Sequence, residues 1–188
     1  MTEQKYLQGY SVAVGGIVLF NQRVLLVRRA AGGRVGDWQI PGGLVESNET
    51  LFTAVQREIS EETGVQAEVK GLVAILSRAL AGENNTYFIF LLEAKMNEIL
   101  IDGIEIDNAR FYSLDEINKL PHLQSLSQLV VSSALQGKST VLPIYPHPEI
   151  PLSEGLLCAG NDIQDGFSQI SHLLWYSPKL DGETISQN

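Results

Sequence analysis

The sequence lacks the cysteines that a disulfide-bonded protein needs and the long apolar run that a membrane-spanning helix needs. Of its 188 residues only Cys158 is a cysteine, so no internal disulfide can form, which fits a reducing cytosol. The simplest interpretation of Cys158 is a small, buried apolar side chain. No apolar run is long enough to cross a bilayer, and the chain does not start with a basic segment followed by an apolar one. We therefore expect neither a membrane protein nor a secreted one, and we predict a cytoplasmic location.

Positive charge is also scarce in this chain. Thirteen basic residues stand against 22 acidic ones, which gives a net charge of −9. Such a surface disfavours general binding to nucleic acid or to an anionic membrane. His122, His147 and His172 show no metal-ligand spacing with one another or with Cys158, so we expect solvated or core histidines. A chain of this length can bury one substantial core, so one domain is the expectation.

The most informative segment of the chain favours a helix that follows a glycine turn. Residues 43–65 read GLVESNETLFTAVQREISEETGV and follow Pro41-Gly42. Ser47 is the expected N-cap, Glu49 places a carboxylate near the expected helix N-terminus, and Gly64 suits a left-handed stop. Four apolar residues share one face at helical spacing, namely Leu51, Phe52, Val55 and Ile59. This face is therefore expected to pack on a core.

Three glutamates crowd the edge of that apolar face. Glu58 and Glu62 lie one helical turn apart and continue the apolar row, while Glu61 lies beside them. Carboxylates held this close repel one another and raise each other's pKa unless a cation lies among them. A set of ligands made only of oxygen indicates a hard divalent cation, Mg²⁺ or Mn²⁺, and not zinc. The alternative is a solvated, acidic helix end.

The same segment resembles the signature of the Nudix hydrolases. That signature is a glycine, five residues, a glutamate, seven residues, and then Arg-Glu-aliphatic-any-Glu-Glu-any-Gly-aliphatic. Every fixed position is filled here, by Gly43, Glu49, Arg57, Glu58, Ile59, Glu61, Glu62, Gly64 and Val65. The resemblance in strand and loop pattern extends over residues 8–135 or so. It implies an α/β fold, the Nudix α/β/α sandwich with a mixed sheet.

The pattern of the remaining segments agrees with a mixed sheet between helices. Apolar and β-branched runs predict strands over residues 11–20, 23–29, 66–77 (one long strand or a pair), 87–94 and 104–112. Residues 21–22 are expected to form a tight turn, and residues 30–36 and 80–86 to form connections. Helical spacing predicts helices over residues 114–120 and 123–135.

The resemblance also implies roles for individual residues. Glu58, Glu61 and Glu62 are expected to bind Mg²⁺ or Mn²⁺, helped by the backbone carbonyl of Gly42. Arg57 is expected to orient the carboxylates, and Glu49 either orients its neighbours or simply caps the helix. The general base is a glutamate of the helix or an acid on a later loop, where Glu105 is the first candidate and Glu83 and Asp107 are the others. The residues assigned to catalysis are Glu61, Glu58, Arg57 and Glu105.

A local excess of positive charge comes just before the helix. Between residues 21 and 40 one acid, Asp37, stands against four arginines, which are Arg23, Arg28, Arg29 and Arg34. Because guanidinium groups suit phosphate oxygens, we expect Arg28, Arg29 and Arg34 to bind substrate. The alternative for Arg23 and Arg28 is that they solvate a hairpin. Trp38 either stacks on a base of the substrate or belongs to the core.

Together these features predict a metal-dependent pyrophosphohydrolase. Divalent ions that bridge phosphate oxygens neutralise developing charge and lower the pKa of an attacking water. The resemblance implies a nucleoside diphosphate linked to another group, and ADP-ribose-like compounds, nucleotide sugars and nucleoside triphosphates stay open, with a preference for the first. The alternative is a regulatory module that binds a nucleotide without turnover. Such modules commonly lose these carboxylates, whereas this chain retains them all.

The end of the chain departs from this plan. Four prolines disfavour an interior strand or helix there, namely Pro143, Pro146, Pro148 and Pro151. Residues 155–175 are nevertheless too apolar for a disordered tail. We predict a Nudix domain over residues 1–138 and an extension over residues 139–188. The extension is expected to pack on the domain or on a second subunit of a homodimer, or to cover the substrate pocket.

Overall fold

The computed structural model of the protein describes residues 9–80, 83–101, 103–139, 141–145 and 156–157. The chain forms two compact units, residues 1–141 and residues 142–188. In the second unit, strand β8 (Leu142–Tyr145) pairs antiparallel with strand β9 (Leu156–Leu157). Most of the predicted extension, including Cys158, His147 and His172, lies outside the described residues, so its packing and its boundary at residue 139 stay predictions.

The strands of the first unit form a mixed sheet. They are β1 Tyr10–Phe20, β2 Arg23–Arg29, β3 Trp38–Gln39, β4 Gly42–Leu44, β5 Ala67–Leu80, β6 Glu83–Ala94 and β7 Ile106–Tyr112. Their order is β3-β2-β1-β6-β5, with β4 also paired to β1 and β7 to β2. β1 and β6 run parallel, whereas the other pairs within this unit are antiparallel. The predicted mixed sheet is confirmed. Of the two forms predicted for residues 66–77, the single long strand is observed, and it begins at Ala67.

The first hairpin forms at the predicted turn. Asn21 and Gln22 have φ angles of 48° and 59°, the left-handed pair that the favoured two-residue hairpin turn requires. Phe20 then lies opposite Arg23 in the ladder between β1 and β2.

The prediction of a connection over residues 80–86 is wrong for its described part. β5 runs on to its pairing with Glu83 at the start of β6. Asn84 and Asn85 pair with β5 on one side and with β1 on the other, and the Asn85 side chain donates to the Ser11 hydroxyl at 2.9 Å. Hydrogen bonds to two neighbouring strands outweigh the low strand propensity of these polar residues.

One face of the sheet packs on the first helix, α1 (Leu51–Thr63). A Cβ on Gly16 of β1 would lie 2.6 Å from Ile59 Cδ1 and 2.9 Å from Leu92 Cδ1, so the glycine lets the helix approach closely. Phe52 adds an edge-on contact with Phe90 of β6, with ring centroids 5.5 Å apart. The predicted apolar face of this helix is therefore the face that meets the sheet.

The opposite face packs on the last helix, α3 (Ser125–Leu135), which follows the short helix α2 (Leu114–Ile117). Ile17 and Ile89 belong to the core cluster that contains Val130 and Val131 of α3. Because successive strand residues point to opposite faces, Ile17 faces away from α1 while its neighbour Gly16 faces towards it. The predicted α/β/α sandwich is confirmed, although both late helices are shorter than predicted. No helix in the described ranges is long and apolar enough to cross a membrane.

Helix α1 begins later than its predicted cap. The N-cap is Thr50, whose hydroxyl accepts the Thr53 N–H at 3.2 Å, while the Thr53 hydroxyl accepts the Thr50 N–H at 2.8 Å. Ser47 is not the cap, because Asn48 after it adopts a φ of 66° that a right-handed helix does not allow. The predicted stop at Gly64 is confirmed by its left-handed φ of 69°.

This cap predicts different effects for two hydroxyl deletions. Thr50→Ala should lower the free energy of unfolding by about 1 kcal/mol, because the capping hydroxyl is lost. Ser47→Ala should change it by less than about 0.5 kcal/mol. Urea denaturation of both variants measures the difference, and an equal or larger loss in Ser47→Ala would contradict the position of the cap.

Candidate active site

Two glycines bring strand β4 close to helix α1. A Cβ on Gly42, whose φ is 149°, would overlap the Val14 carbonyl oxygen. The Gly42 N–H donates to Glu62 Oε2 at 3.1 Å. A Cβ on Gly43 would lie 2.5 Å from Glu58 Oε2. The glycine pair therefore makes room for two carboxylates of the helix, and it places the predicted carbonyl ligand, Gly42, next to Glu62.

The Arg57 guanidinium is the centre of a network of carboxylates. Its Nε and Nη2 donate to Glu49 at 3.0 and 2.7 Å, and its Nη1 donates to Glu58 at 2.9 Å and to Glu61 at 3.0 Å. Nη2 also donates to the Leu44 carbonyl at 3.0 Å. The hydrogen bonds with Glu49 raise the pKa of Arg57 and lower the pKa of Glu49. These contacts fit the orienting roles predicted for Arg57 and Glu49.

The three predicted metal ligands differ in their surroundings. Glu62 is 6% exposed, and burial raises its pKa to about 8 although the Gly42 N–H favours the charged form. Burial also raises the pKa of Glu58, whereas the side chain of Glu61 is 60% exposed. Arg57 pairs with Glu58 and Glu61, whereas Glu62 accepts a hydrogen bond from the Gly42 N–H and forms no ion pair with another described residue. A buried carboxylate in this state is the feature of the site that calls for a positive charge.

The donor atoms around Glu62 suit a hard divalent cation. Carboxylate and carbonyl oxygens are the ligands that Mg²⁺ and Mn²⁺ prefer. In the part of the chain that the structure describes, no three acidic, histidine or cysteine side chains already converge as a metal site. Arg57 binds Glu58 and Glu61 in this arrangement. Metal binding by Gly42, Glu58, Glu61 and Glu62 stays a prediction.

The structure gives neighbouring arginines of β2 different surroundings. Arg28 donates to both carboxylate oxygens of Asp107, at 2.7 and 3.1 Å. The register of the pairing between β2 and β7 shifts between Arg28 and Arg29, and Arg29 does not share Asp107 as a partner. The charge of Arg29 acts on Glu62, and within the described residues its Nε is buried without a hydrogen-bond partner. Arg29 therefore retains an unused donor near the carboxylates, whereas Arg28 is neutralised.

Arg23 and Arg34 lie at opposite ends of strand β2, Arg23 at its start and Arg34 in the loop that follows it. Arg34 is exposed in the loop after β2, with a φ of 61°. Arg23 starts β2 and binds Glu116 at 2.9 Å and the Phe111 carbonyl at 3.3 Å. The contacts of Arg23 and Arg28 agree with the alternative interpretation that these two side chains stabilise the fold around their strand.

The surroundings of Trp38 favour the core interpretation over stacking on a base. Its side chain is buried, at 7% exposure, and its ring packs edge-on against Tyr112 with centroids 5.2 Å apart. The Arg28 guanidinium lies 5.8 Å from the Trp38 ring centroid. These contacts and the burial of the ring do not support a role in substrate binding, which stays a prediction.

Among the later acids, Glu105 is the candidate base whose charge acts on the cluster. Its backbone carbonyl accepts the Ala30 N–H at 2.7 Å, which fixes this residue beside the end of β2. The charge of Glu105 contributes to the raised pKa of both Glu58 and Glu62. Asp107 is instead bound by Arg28, and the side chain of Glu83 lies outside the described residues. Glu105 as general base stays a prediction that its position supports.

The sequence did not single out one residue that lies near this site, Tyr87 of β6. Its hydroxyl oxygen occupies the space that a side chain on Gly15 would need. The charges of Glu62 and Glu58 act on this hydroxyl. The signal that could have found it is the glycine pair Gly15-Gly16 inside an apolar strand, because such glycines mark a close approach by other groups.

Comparisons with known proteins agree with this arrangement. A family model described as the NUDIX domain matches residues 9–131. An ADP-ribose pyrophosphatase of Methanocaldococcus jannaschii is 34% identical over 112 residues, which cover 58% of this chain and 66% of the relative. Nudix hydrolase 8 of Arabidopsis thaliana is 30% identical over 120 residues, which cover 61% of this chain and 32% of the relative. The chain therefore spans less than two thirds of the length of either relative.

A solved structure shows the same fold. A NUDIX hydrolase from Nitrosomonas europaea superimposes with a TM-score of 0.61 and 26% identity, over 70% of this chain and 73% of that one.

The raised pKa of Glu62 predicts a pH-dependent stability of the metal-free protein. The ordinary pKa of this group is 4.5, and its pKa in the fold is about 8. Between these values the folded chain holds a proton that the unfolded chain releases, so stability falls as the pH rises. Compared with Glu62→Gln, the wild type should lose on the order of 3 kcal/mol between pH 5 and pH 8.

Urea unfolding in EDTA at both pH values measures this loss. Glu98→Gln is the matched control, because Glu98 is exposed, and this variant should follow the wild type. Parallel pH profiles of the wild type and Glu62→Gln would show that Glu62 is not protonated by burial.

Proposed function

The chain belongs to the Nudix family, and on that basis we propose that it is a metal-dependent pyrophosphohydrolase. The proposed reaction cleaves the phosphoanhydride of a nucleoside diphosphate that is linked to another group. One observation carries the proposal: Arg57 holds Glu49, Glu58 and Glu61 in one network, while Glu62 stays buried beside Gly42 with no cationic partner in the described chain. A regulatory module without turnover has no need for such a set of carboxylates.

Nudix hydrolases generally use divalent metals, and the residues of this site fit such an ion. Glu58, Glu61 and Glu62, with the Gly42 carbonyl, would hold Mg²⁺ or Mn²⁺. The ion would neutralise phosphate charge and lower the pKa of the attacking water. With a cation beside it, Glu62 would lose its proton at a lower pH than its burial otherwise allows.

The other residues act on the substrate and on the carboxylates. Arg57 keeps Glu58 and Glu61 oriented through bonds of 2.9 and 3.0 Å. Glu105 accepts a proton from the attacking water in this proposal. Arg29 donates its Nε–H, which has no hydrogen-bond partner among the described residues, to a phosphate oxygen, since a guanidinium and a phosphate form strong, charge-assisted hydrogen bonds.

Among the candidate substrates we place ADP-ribose-like compounds first. Nucleotide sugars and nucleoside triphosphates follow. The similarity to a relative named ADP-ribose pyrophosphatase supports this order. The proposed location is the cytoplasm. The net charge of −9 supports a small-molecule substrate without general nucleic-acid binding. A homodimer is part of the same proposal, with residues 139–188 packing either on the domain or on the second subunit.

The first test is turnover by the wild type and by two isosteric variants. We expect phosphoanhydride cleavage of at least one compound from a panel of ADP-ribose, UDP-glucose and a nucleoside triphosphate, with Mg²⁺ or with Mn²⁺. Glu61→Gln and Glu62→Gln should lower kcat by at least ~100-fold, because each removes a charge that the site uses. Glu98→Gln should keep the wild-type rate.

Two results would reject this proposal in different ways. Binding of the panel compounds without product, with either metal, would indicate a regulatory module. Wild-type rates in both glutamine variants would show that the carboxylates have other roles.

A second test separates the two adjacent arginines. Arg29→Gln should lower kcat/KM for the best substrate by at least ~10-fold, since a charged hydrogen bond to phosphate is lost. Arg28→Gln should lower kcat/KM by less than about threefold, because Asp107 already occupies this guanidinium. Steady-state kinetics measures both variants, and the reverse order would contradict the separation of their roles.

A further inference from the structure

The Tyr87 hydroxyl lies beside Gly15 and makes no hydrogen bond to another described residue. It is not one of the buried groups left without a partner in that part of the chain, so it keeps access to solvent and to a ligand. The side chain is partly buried and packs against the core cluster on the α3 side of the sheet. Tyrosine hydroxyls in such surroundings usually find a partner. Tyr10, at the start of β1, shows the ordinary case, because its hydroxyl lies 3.3 Å from the Thr86 hydroxyl.

The Tyr87 ring lies against Gly15, beside Ile40. A Cβ on Gly15 would lie 2.6 Å from Tyr87 Cζ, overlap the hydroxyl oxygen, and lie 3.0 Å from Ile40 Cδ1. The ring and Ile40 therefore fill the space that Gly15 leaves open. A donor held in this way requires little reorganisation to meet a ligand.

The hydroxyl lies next to the strand pair that supports Glu62. Gly15, which the hydroxyl covers, pairs with Gly42 in the ladder between β1 and β4, and the Gly42 N–H donates to Glu62. Burial, and then the charges of Glu62 and Glu58, raise the pKa of Tyr87 above its ordinary value. The hydroxyl is therefore protonated at physiological pH and is able to donate.

We infer that Tyr87 contacts the substrate, and that its hydroxyl donates a hydrogen bond to a phosphate oxygen of the bound diphosphate. The inference rests on the proposed function for the identity of the ligand. An anionic oxygen satisfies an unpaired donor, and the diphosphate is the anion that the neighbouring carboxylates and their metal would bring here. Tyr87 thus adds a neutral donor to the charged groups, Arg29 and the metal ion, that hold the phosphates.

Tyr87→Phe tests this contact, because it removes the oxygen and keeps the ring. Isothermal titration with imidodiphosphate in the presence of Mn²⁺ should give a Kd at least ~10-fold above that of the wild type. The value of kcat/KM for ADP-ribose should fall by a similar factor. The affinity for Mn²⁺ alone and the urea midpoint should stay at their wild-type values. Tyr10→Phe, which removes a hydroxyl away from the site, should match the wild type in every measurement.

Several outcomes would overturn the inference. One is an unchanged Kd for imidodiphosphate in Tyr87→Phe, and another is a wild type that does not bind this probe. A loss of Mn²⁺ affinity by the same factor would show that the hydroxyl acts on Glu62 and not on the ligand. If the wild type binds the probe through Tyr87 but cleaves no compound of the panel, the proposed function fails and the contact stands.

Discussion

The site depends on a shortage of positive charge within helix α1. One guanidinium, that of Arg57, pairs with Glu49, Glu58 and Glu61, and it does not reach the buried Glu62. Burying a carboxylate without a cation destabilises the folded state, and the hydrogen bond from the Gly42 N–H offsets only part of that free energy. Burial raises the pKa of Glu62 to about 8, so at neutral pH a proton takes the place of a cation on this carboxyl group. A divalent ion is the group that would replace this proton and restore the carboxylate.

Glycines in the backbone around the carboxylates allow helix α1 and the strands to lie close together. Gly42 and Gly43 carry no side chain where Val14 and Glu58 approach, and Gly16 lets Ile59 bring the helix onto the sheet. A sheet supports a rigid site better than a loop does, because its hydrogen bonds fix the positions of the residues on its edge. The carboxylates are therefore held between one strand edge and one helix, with β2 and its arginines beside them.

Features set by local spacing could be predicted from the sequence. The apolar face of α1, the stop at Gly64 and the hairpin at Asn21-Gln22 follow from helical period and turn chemistry, and the structure confirms them. The contact between Arg57 and Glu61 also follows from their separation by one helical turn. The α/β/α sandwich was predicted from the resemblance to the Nudix signature.

Features set by contacts between distant segments could not be predicted in the same way. Nothing in the sequence pattern distinguishes Arg28 from Arg29. In the structure, Asp107 on the paired strand β7 forms an ion pair with Arg28. The position of Tyr87 over Gly15 depends on the parallel pairing of β1 and β6, and the cap at Thr50 depends on the turn at Asn48. No local pattern specifies these partners.

The central claim is that the glutamates of α1 hold a divalent cation, and diffraction from manganese-soaked crystals tests it most directly. We expect an anomalous manganese peak bounded by Glu58, Glu61, Glu62 and the Gly42 carbonyl oxygen. A map with no manganese at this position would contradict the claim.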